Sequence, residues 1–288
     1  MIYLALSILC SSAIFVLFSY FAKYKVQLVP AIVTNYLIAA ASGFVQVESV
    51  DSFYNIPNEW WIFAFLISFL FISLFYLMAK TAQELGVSVS SNATKMSMLI
   101  PIVLLALIYP SEHLNYLQVI GVILALFGIY YTSIKGDSSF KLKYIFWPFI
   151  LFAGSGLLDF LLAYANQNLL HSAADDRLFT SLSFGLAFIW GLFIILYQYL
   201  LKKEKIRLVS VVGGVILGVV NFGSIYFLLR TYASNIAQKT TILPVNNMAI
   251  IILSTLLSIL LFHEKLSRKN IIGLSLSLLS ILLIFFNA

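Results

Sequence analysis

Ile2-Tyr3-Leu4-Ala5-Leu6-Ser7-Ile8-Leu9-Cys10-Ser11-Ser12-Ala13-Ile14-Phe15-Val16-Leu17-Phe18-Ser19-Tyr20-Phe21 is an unbroken run of apolar and small residues without a single charge. At 1.5 Å of rise per residue, about 20 helical residues cover the roughly 30 Å hydrocarbon core of a bilayer. The run therefore predicts a helix whose solvent is lipid. Outward from it, runs of the same kind recur at 28–46, 60–79, 87–109, 117–134, 145–165, 178–200, 209–229, 241–262 and 270–287, separated by short polar stretches. Barrel strands would be about ten residues long and would alternate apolar with polar positions, a pattern absent here. The expected fold is an all-α membrane protein with ten transmembrane helices.

Composition agrees. Of 288 residues, 62% are hydrophobic and 10% charged, against about 25% charged in soluble domains. Mean hydropathy is +1.02. Such a chain lacks the charge to cover a water-facing surface, and the short gaps leave no room for a sizeable soluble domain. No basic segment precedes the first run and no small-residue cleavage pattern follows it, so it reads as an uncleaved span rather than a signal peptide. Cys10 is the single cysteine, and it carries neither a disulfide nor a metal-site pattern. The net charge of +6 comes from Lys and Arg in loops between runs, which points to membrane topology rather than to nucleic acid. Trp60, Trp61 and Trp147 open their runs as interfacial anchors do.

The runs also repeat. Phe75-Tyr76-Leu77-Met78-Ala79-Lys80-Thr81 closes the third, and Ile225-Tyr226-Phe227-Leu228-Leu229-Arg230-Thr231 closes the eighth. Glu112-His113-Leu114, between the fourth and fifth, matches Glu264-Lys265-Leu266, between the ninth and tenth. Gly121 follows Glu112 by the interval that separates Gly273 from Glu264. Ser11-Ser12-Ala13 answers Gly154-Ser155-Gly156 more faintly. The shared order predicts a tandem duplication of a five-helix unit, 1–137 and 138–288. An odd number of spans per unit inverts the second copy in the membrane, a design common in secondary transporters with a midplane site between repeats.

At this point a family resemblance becomes specific. Gly86-Val87-Ser88-Val89-Ser90-Ser91-Asn92-Ala93-Thr94-Lys95-Met96-Ser97-Met98-Leu99-Ile100-Pro101, with Tyr109 and Glu112, resembles the fourth helix of EamA-type transporters of the drug/metabolite transporter superfamily. The second copy, through Pro244, Glu264 and Gly273, is similar to the same signature. The resemblance covers essentially the whole chain. It implies two inverted five-helix repeats around a central cavity, lined mainly by spans 1, 3, 4, 6, 8 and 9. One departure matters: Leu253 stands at the position matching Pro101, and Pro244 matches Asn92 instead. The two half-sites are therefore expected to differ in shape.

Most basic loop residues, among them Lys23, Lys25, Lys80, Lys141, Lys203, Lys205, Arg207, Lys265 and Arg268, fall in odd-numbered loops, whereas the second loop carries Glu48, Asp51 and Glu59. Positive-inside counting places odd loops in the cytoplasm and both termini outside; the resemblance implies cytoplasmic termini instead.

Polar groups inside the runs mark the candidate site, because each needs a partner or a cavity in lipid. Asp159 lies mid-span, and its repeat partner is Val16, so the carboxylate is not required to build the fold. Lys95 lies about two turns into the fourth run. Either they face a cavity and meet charged groups of a substrate or a proton, or they form a structural ion pair, or Lys95 snorkels. Asn247 aligns with Lys95, and with Asn246 it follows Pro244, where freed backbone groups could meet a ligand; the competing reading is interhelical hydrogen bonding. Asn92, Asn221, Tyr76 and Tyr226 complete the candidate set. Asn221 reads as the better cavity residue and Asn35 as glue between helices. Asn166 and Gln167 read as interfacial, and Tyr164 as packing. Glu112 and Glu264 are expected to cap the helix that follows each of them. Gly214 with Gly218, and Gly121 with Gly128, read as helix-contact residues.

The leading expectation is a multi-pass secondary transporter of the cell inner membrane, exporting a small organic metabolite such as an amino acid. The alternative is efflux of cationic drugs. No Gly-x-x-x-x-Gly-Lys-Ser/Thr loop occurs, so ATP is not used in that manner. Protons are the candidate coupling ion, and Asp159 their candidate carrier. No cofactor or metal is expected, and the chain is expected to act as monomer or homodimer. An intramembrane lipid-modifying enzyme would need a convergent acid/base cluster, but His113, His171 and His263 are scattered; His171 with Asp175 and Asp176 reads as a solvated turn. A channel would call for charge rings or carbonyl-rich filter loops.

Overall fold

The computed structural model describes residues 1–45, 56–108, 115–134, 142–202, 205–234 and 239–285. Glu48, Asp51, Tyr109, Glu112, His113, Lys141, Lys203 and the 137/138 junction lie outside them. The described residues form helices: α1 (Ile2–Lys23), α2 (Leu28–Phe44), α3 (Asn58–Glu84), α4 (Val87–Met96), α5 (Leu99–Ile108), α6 (Tyr116–Ser133), α7 (Leu142–Asn168), α8 (Ala173–Lys202), α9 (Leu208–Ala233), α10 (Lys239–Phe262) and α11 (Arg268–Phe285). With α4 and α5 taken together over Val87–Ile108, nine of these are long and apolar enough to cross a membrane. The 17-residue α2 is apolar but shorter. Helices satisfy their backbone groups internally, which is why lipid selects them. The fourth predicted run is not continuous: it breaks between α4 and α5, at Ser97 and Met98.

The chain divides into two compact units. One comprises Met1–Tyr20, Leu77–Leu157 and Gly223–Ala288; the other comprises Phe21–Tyr76 and Leu158–Phe222. Each unit takes segments from both halves of the sequence.

In the first unit, Met96, Leu99, Ala125, Ile129, Phe152, Ile251, Ile281 and Ile284 form a buried core. Helices α6 and α11 pack along their length through small residues. A Cβ added at Gly121 would lie 2.5 Å from Ile284 Cγ1 and 3.2 Å from the Ser280 carbonyl; one added at Gly273 would lie 2.5 Å from the Thr132 nitrogen and 2.7 Å from the Gly128 carbonyl. Contact positions rise on one helix as they fall on the other, so the pair is antiparallel. The contacts are also reciprocal: the interval between Gly121 and Gly273 separates Gly128 from Ser280 and Thr132 from Ile284. The Ser280 hydroxyl donates to the Gly121 carbonyl at 2.6 Å. Its counterpart Gly128 has no hydroxyl to return, and there the two backbones meet directly.

The second unit is built in the same manner. Its core contains Ile32, Val33, Tyr36, Ala39, Ile72, Phe184 and Ala187. Gly43 of α2 packs on Ser181, and Gly191 of α8 packs on Val33. One interval along the chain separates Gly43 from Gly191 and Val33 from Ser181. It also separates Tyr36 from Phe184, whose rings lie 6.0 Å apart. That aromatic pair is its own image under the exchange. Helix α9 joins α2 through Gly214, against the Ala31 carbonyl and Thr34, and through Gly218, against Ile38.

Lipid tails are as apolar as leucine, so close backbone approach carries much of this association. Gly273→Ala is therefore expected to destabilise the protein by about 1–3 kcal/mol through overpacking. Gly185→Ala, whose Cβ would sit 3.5 Å from the Phe44 ring, is expected to leave stability unchanged. Thermal unfolding in one detergent compares the two, and equal shifts would contradict the close-contact account.

Candidate functional site

Helix α4 carries the run Ser88-Val89-Ser90-Ser91-Asn92, too polar to face lipid. Eight of its ten residues are buried, namely Val87, Ser88, Val89, Ser90, Ser91, Asn92, Ala93 and Met96. Its polar side chains find partners on neighbouring helices. Ser90 Oγ donates to the Met78 carbonyl of α3 at 2.9 Å. Ser254 Oγ of α10 donates to Ser91 Oγ at 2.7 Å. Asn92 Nδ2 donates to Thr132 Oγ1 of α6 at 3.1 Å. Asn92 is fully buried, and its Oδ1 has no hydrogen-bond partner among the described residues.

The start of α4 corrects one expectation. Glu264 does not cap the helix that follows it. After α10, His263 takes a left-handed φ of 52°, and the Glu264 amide bonds back to the Ser258 carbonyl at 3.3 Å. The Glu264 carboxylate reaches Gly86 and accepts a hydrogen bond from Ser88 Oγ. It therefore stands at the N-terminus of α4, where unsatisfied N–H groups and the helix dipole favour an anion. Gly86 is required twice over: φ is +118°, and a Cβ would strike the carboxylate. The following helix, α11, is capped by Ser267 and Asn270: the Ser267 N–H donates to Asn270 Oδ1 at 2.9 Å, and the Asn270 N–H to Ser267 Oγ at 3.2 Å. Asn270 Nδ2 also donates to the Thr132 carbonyl at 2.7 Å and to the Ile134 carbonyl at 2.9 Å, closing the end of α6.

The end of α4 holds Lys95, half-buried in the last turn, where a cation suits the dipole. The break that follows has a covalent cause. Pro101 has no N–H for the Ser97 carbonyl, and its ring crowds that same carbonyl. The Ile100 amide takes it instead, at 2.9 Å, in a tighter turn. Leu253 stands at the position the sequence aligns with Pro101, and α10 continues unbroken to Phe262. Across from the break, Asn247 Nδ2 donates to Met98 Sδ at 2.8 Å. Asn246 is 2% exposed, and its Oδ1 has no partner among the described residues. Lys95, Asn92, Asn246 and Asn247 thus belong to the first unit, on the facing helices α4 and α10.

Tyr226 belongs to the same unit. Its hydroxyl accepts from Arg230 Nε at 3.1 Å, and the guanidinium lies 5.3 Å from the ring centroid. Asp159, Asn221 and Tyr76 belong to the second unit. Asp159 is half-buried midway along α7, and Tyr76 is 37% exposed on α3. Asn221 Nδ2 donates to Asn35 Oδ1 at 3.2 Å, with both residues buried. Two amides that the sequence reading treats separately are one pair, joining α9 to α2. Asn166 and Gln167 are exposed at the end of α7, and Tyr164 stacks on Phe63 with centroids 5.6 Å apart. Asp175 accepts the His171 amide at 3.0 Å, and Asp176 accepts from Asn166 at 2.9 Å, both at the start of α8. The sequence reading missed Ser91, Met98, Thr132 and Ser254; the serine-rich start of α4 was the signal that such partners must exist.

No protein-family model matches the chain. It is 29% identical over 294 residues to an uncharacterised protein of Haemophilus influenzae, covering 98% of this chain and 97% of that one. A solved crystal structure of a protein with 14% sequence identity superposes with a TM-score of 0.55, over 98% of this chain and 99% of the other. That likeness concerns the fold.

Side-chain hydrogen bonds between membrane helices couple by about 0.6 kcal/mol on average and up to about 1.7. A double-mutant cycle on Asn35→Ala and Asn221→Ala, read by unfolding in detergent, is expected to give a coupling in that range. Strictly additive losses would contradict the pairing.

Proposed function

We propose that the chain is a secondary transporter of the inner membrane, moving a small organic metabolite outward by alternating access of two inverted five-helix repeats. In this reading α2 makes the tenth crossing, and the repeats belong to the EamA type that the sequence resembles. The observation that carries the proposal is reciprocity: α6 with α11, and α2 with α8, each contact through positions that exchange under a constant interval. Pairs of that kind are what two inverted copies of one unit produce. The second support is the interrupted span α4–α5, with Lys95 and Met98 on it and Asn247 opposite. Interrupted helices are tolerated at membrane depth where they are buried in protein or line a cavity.

The roles follow from chemistry. Lys95 offers a cation to an anionic group of the substrate, Asn246 and Asn247 offer amide donors and acceptors, and Asp159 offers a carboxylate to a cationic group or a proton. A molecule with both charges, such as an amino acid, fits that inventory.

A thermal-shift screen of the purified protein against amino acids, nucleobases, sugars and drug cations identifies the ligand class; a ligand at a hundred times its Kd adds about 2.7 kcal/mol of apparent stability. The best stabiliser is then expected to show saturable counterflow in proteoliposomes. Absence of counterflow for any stabilising ligand would exclude a carrier. With an imposed pH gradient, Asp159→Asn is expected to abolish gradient-driven accumulation and to spare counterflow. Unchanged accumulation would remove Asp159 from the coupling mechanism.

A further inference from the structure

Helices α4 and α5 form one membrane span in two pieces, and the pieces are held differently. Helix α4 is fixed at successive levels by Glu264 on Ser88, Ser90 on Met78, Ser254 on Ser91, and Asn92 on Thr132. Eight of its ten residues are buried. Helix α5, Leu-Ile-Pro-Ile-Val-Leu-Leu-Ala-Leu-Ile, has no polar side chain to bond, and Leu99 is its one buried residue. Leu107 at its far end is 75% exposed. Between the pieces stand Ser97 and Met98, with the Ser97 carbonyl turned to Ile100 because Pro101 offers no N–H. Just past this point, Ile100 sits in a notch at Gly156 of α7, where a Cβ would collide with it. The glycine lets Ile100 approach α7 closely, and with Ile102 packed on the core of the first unit this contact fixes the near end of α5.

From this asymmetry we infer that α5 is a swinging half-helix, hinged at Ser97–Met98, pivoting over Gly156 while α4 stays anchored. The device is one-sided. The matching stretch of α10 has Leu253 in place of the proline and runs without interruption. Weakly buried, sparsely bonded segments are where local motion concentrates, and a proline-broken ladder gives that motion a defined axis. The hinge stands on packing alone; its use, to open and close one side of the pathway, rests on the transport reading above.

Double electron–electron resonance tests the hinge without any substrate. In a Cys10→Ser background reconstituted into nanodiscs, one spin-label pair is placed at Leu107→Cys and Ile272→Cys, reporting α5 against α11. The repeat-equivalent pair, Ile259→Cys and Ile120→Cys, reports α10 against α6. All four positions are exposed. The first pair is expected to give a broad or two-peaked distance distribution, and the second a single narrow one. Pro101→Leu, which installs the residue of the other repeat and restores the missing bond, is expected to collapse the first distribution to one population. Pro101→Ala serves if the leucine variant misfolds. Equal widths for the two pairs in the parent, or a broad first distribution unaltered by removing the proline, would overturn the hinge. Because neither readout involves transport, a failed counterflow assay sinks the transport reading and leaves the hinge to be decided by the distances.

Discussion

In a bilayer, helices gain little by hiding leucine from lipid, so the closeness of backbone to backbone decides which helices stay together. The approach of Gly121 and Gly273 across α6 and α11 is the clearest case. There Ser280 reaches a carbonyl of the opposite helix, and the glycine at the equivalent position lets the Gly128 carbonyl and the Thr132 amide come within 3 Å of a would-be Cβ. The core of Ala125, Ile129, Ile281 and Ile284 forms around that contact. The same device at Gly43 and Gly191 holds α2 to α8. Each interface uses one small-residue position twice, once from each helix, so one local requirement stabilises two contacts.

Polar groups impose the second constraint. A hydroxyl or amide in hydrocarbon costs several kcal/mol unless bonded, so the serines of α4 oblige α3 and α10, and Asn92 obliges α6, to present acceptors or donors at matching heights. This obligation orders the first unit more specifically than apolar contact could, because Leu and Ile tolerate small shifts in register whereas Ser254 on Ser91 does not. Where the obligation ends, at Ser97, the span is also interrupted. The anchored and unanchored pieces of one membrane crossing thus differ for a reason written in residue type: hydroxyls and amides before Pro101, only aliphatic side chains from Leu99 onward.

Much of the fold is legible in the residues. Run length yields the helices to within a few positions, since a span must match the thickness of lipid; α1, α10 and α11 begin and end within two residues or so of their predicted bounds. Glu112 with Glu264 and Gly121 with Gly273 carry the expectation of a repeat, whereas no sequence motif marks the reciprocal contact of α2 with α8. Gly43 and Gly191 lie in stretches otherwise unlike each other, and packing constrains size at those positions, not identity. The candidate site is legible only as an inventory. Lys95, Asp159 and the asparagines announce themselves because ionisable and amide groups are expensive in lipid. Which group meets which does not follow from their positions along the chain: Asn221 finds Asn35, and Asn247 finds Met98.

What the sequence by itself determined is therefore one-dimensional: that the chain lives in lipid, that it does so as helices, that a motif recurs, and that Pro101 withholds a hydrogen bond from Ser97. Each of these depends on composition or on neighbours within a turn of helix. What only the tertiary structure decided is the partner of each polar group and the piece of each span that is held. Glu264 shows why. A capping carboxylate is expected to serve the nearest helix in sequence, yet the left-handed turn at His263 delivers it to the start of α4, remote along the chain, where open N–H groups and a glycine without a Cβ leave space for it.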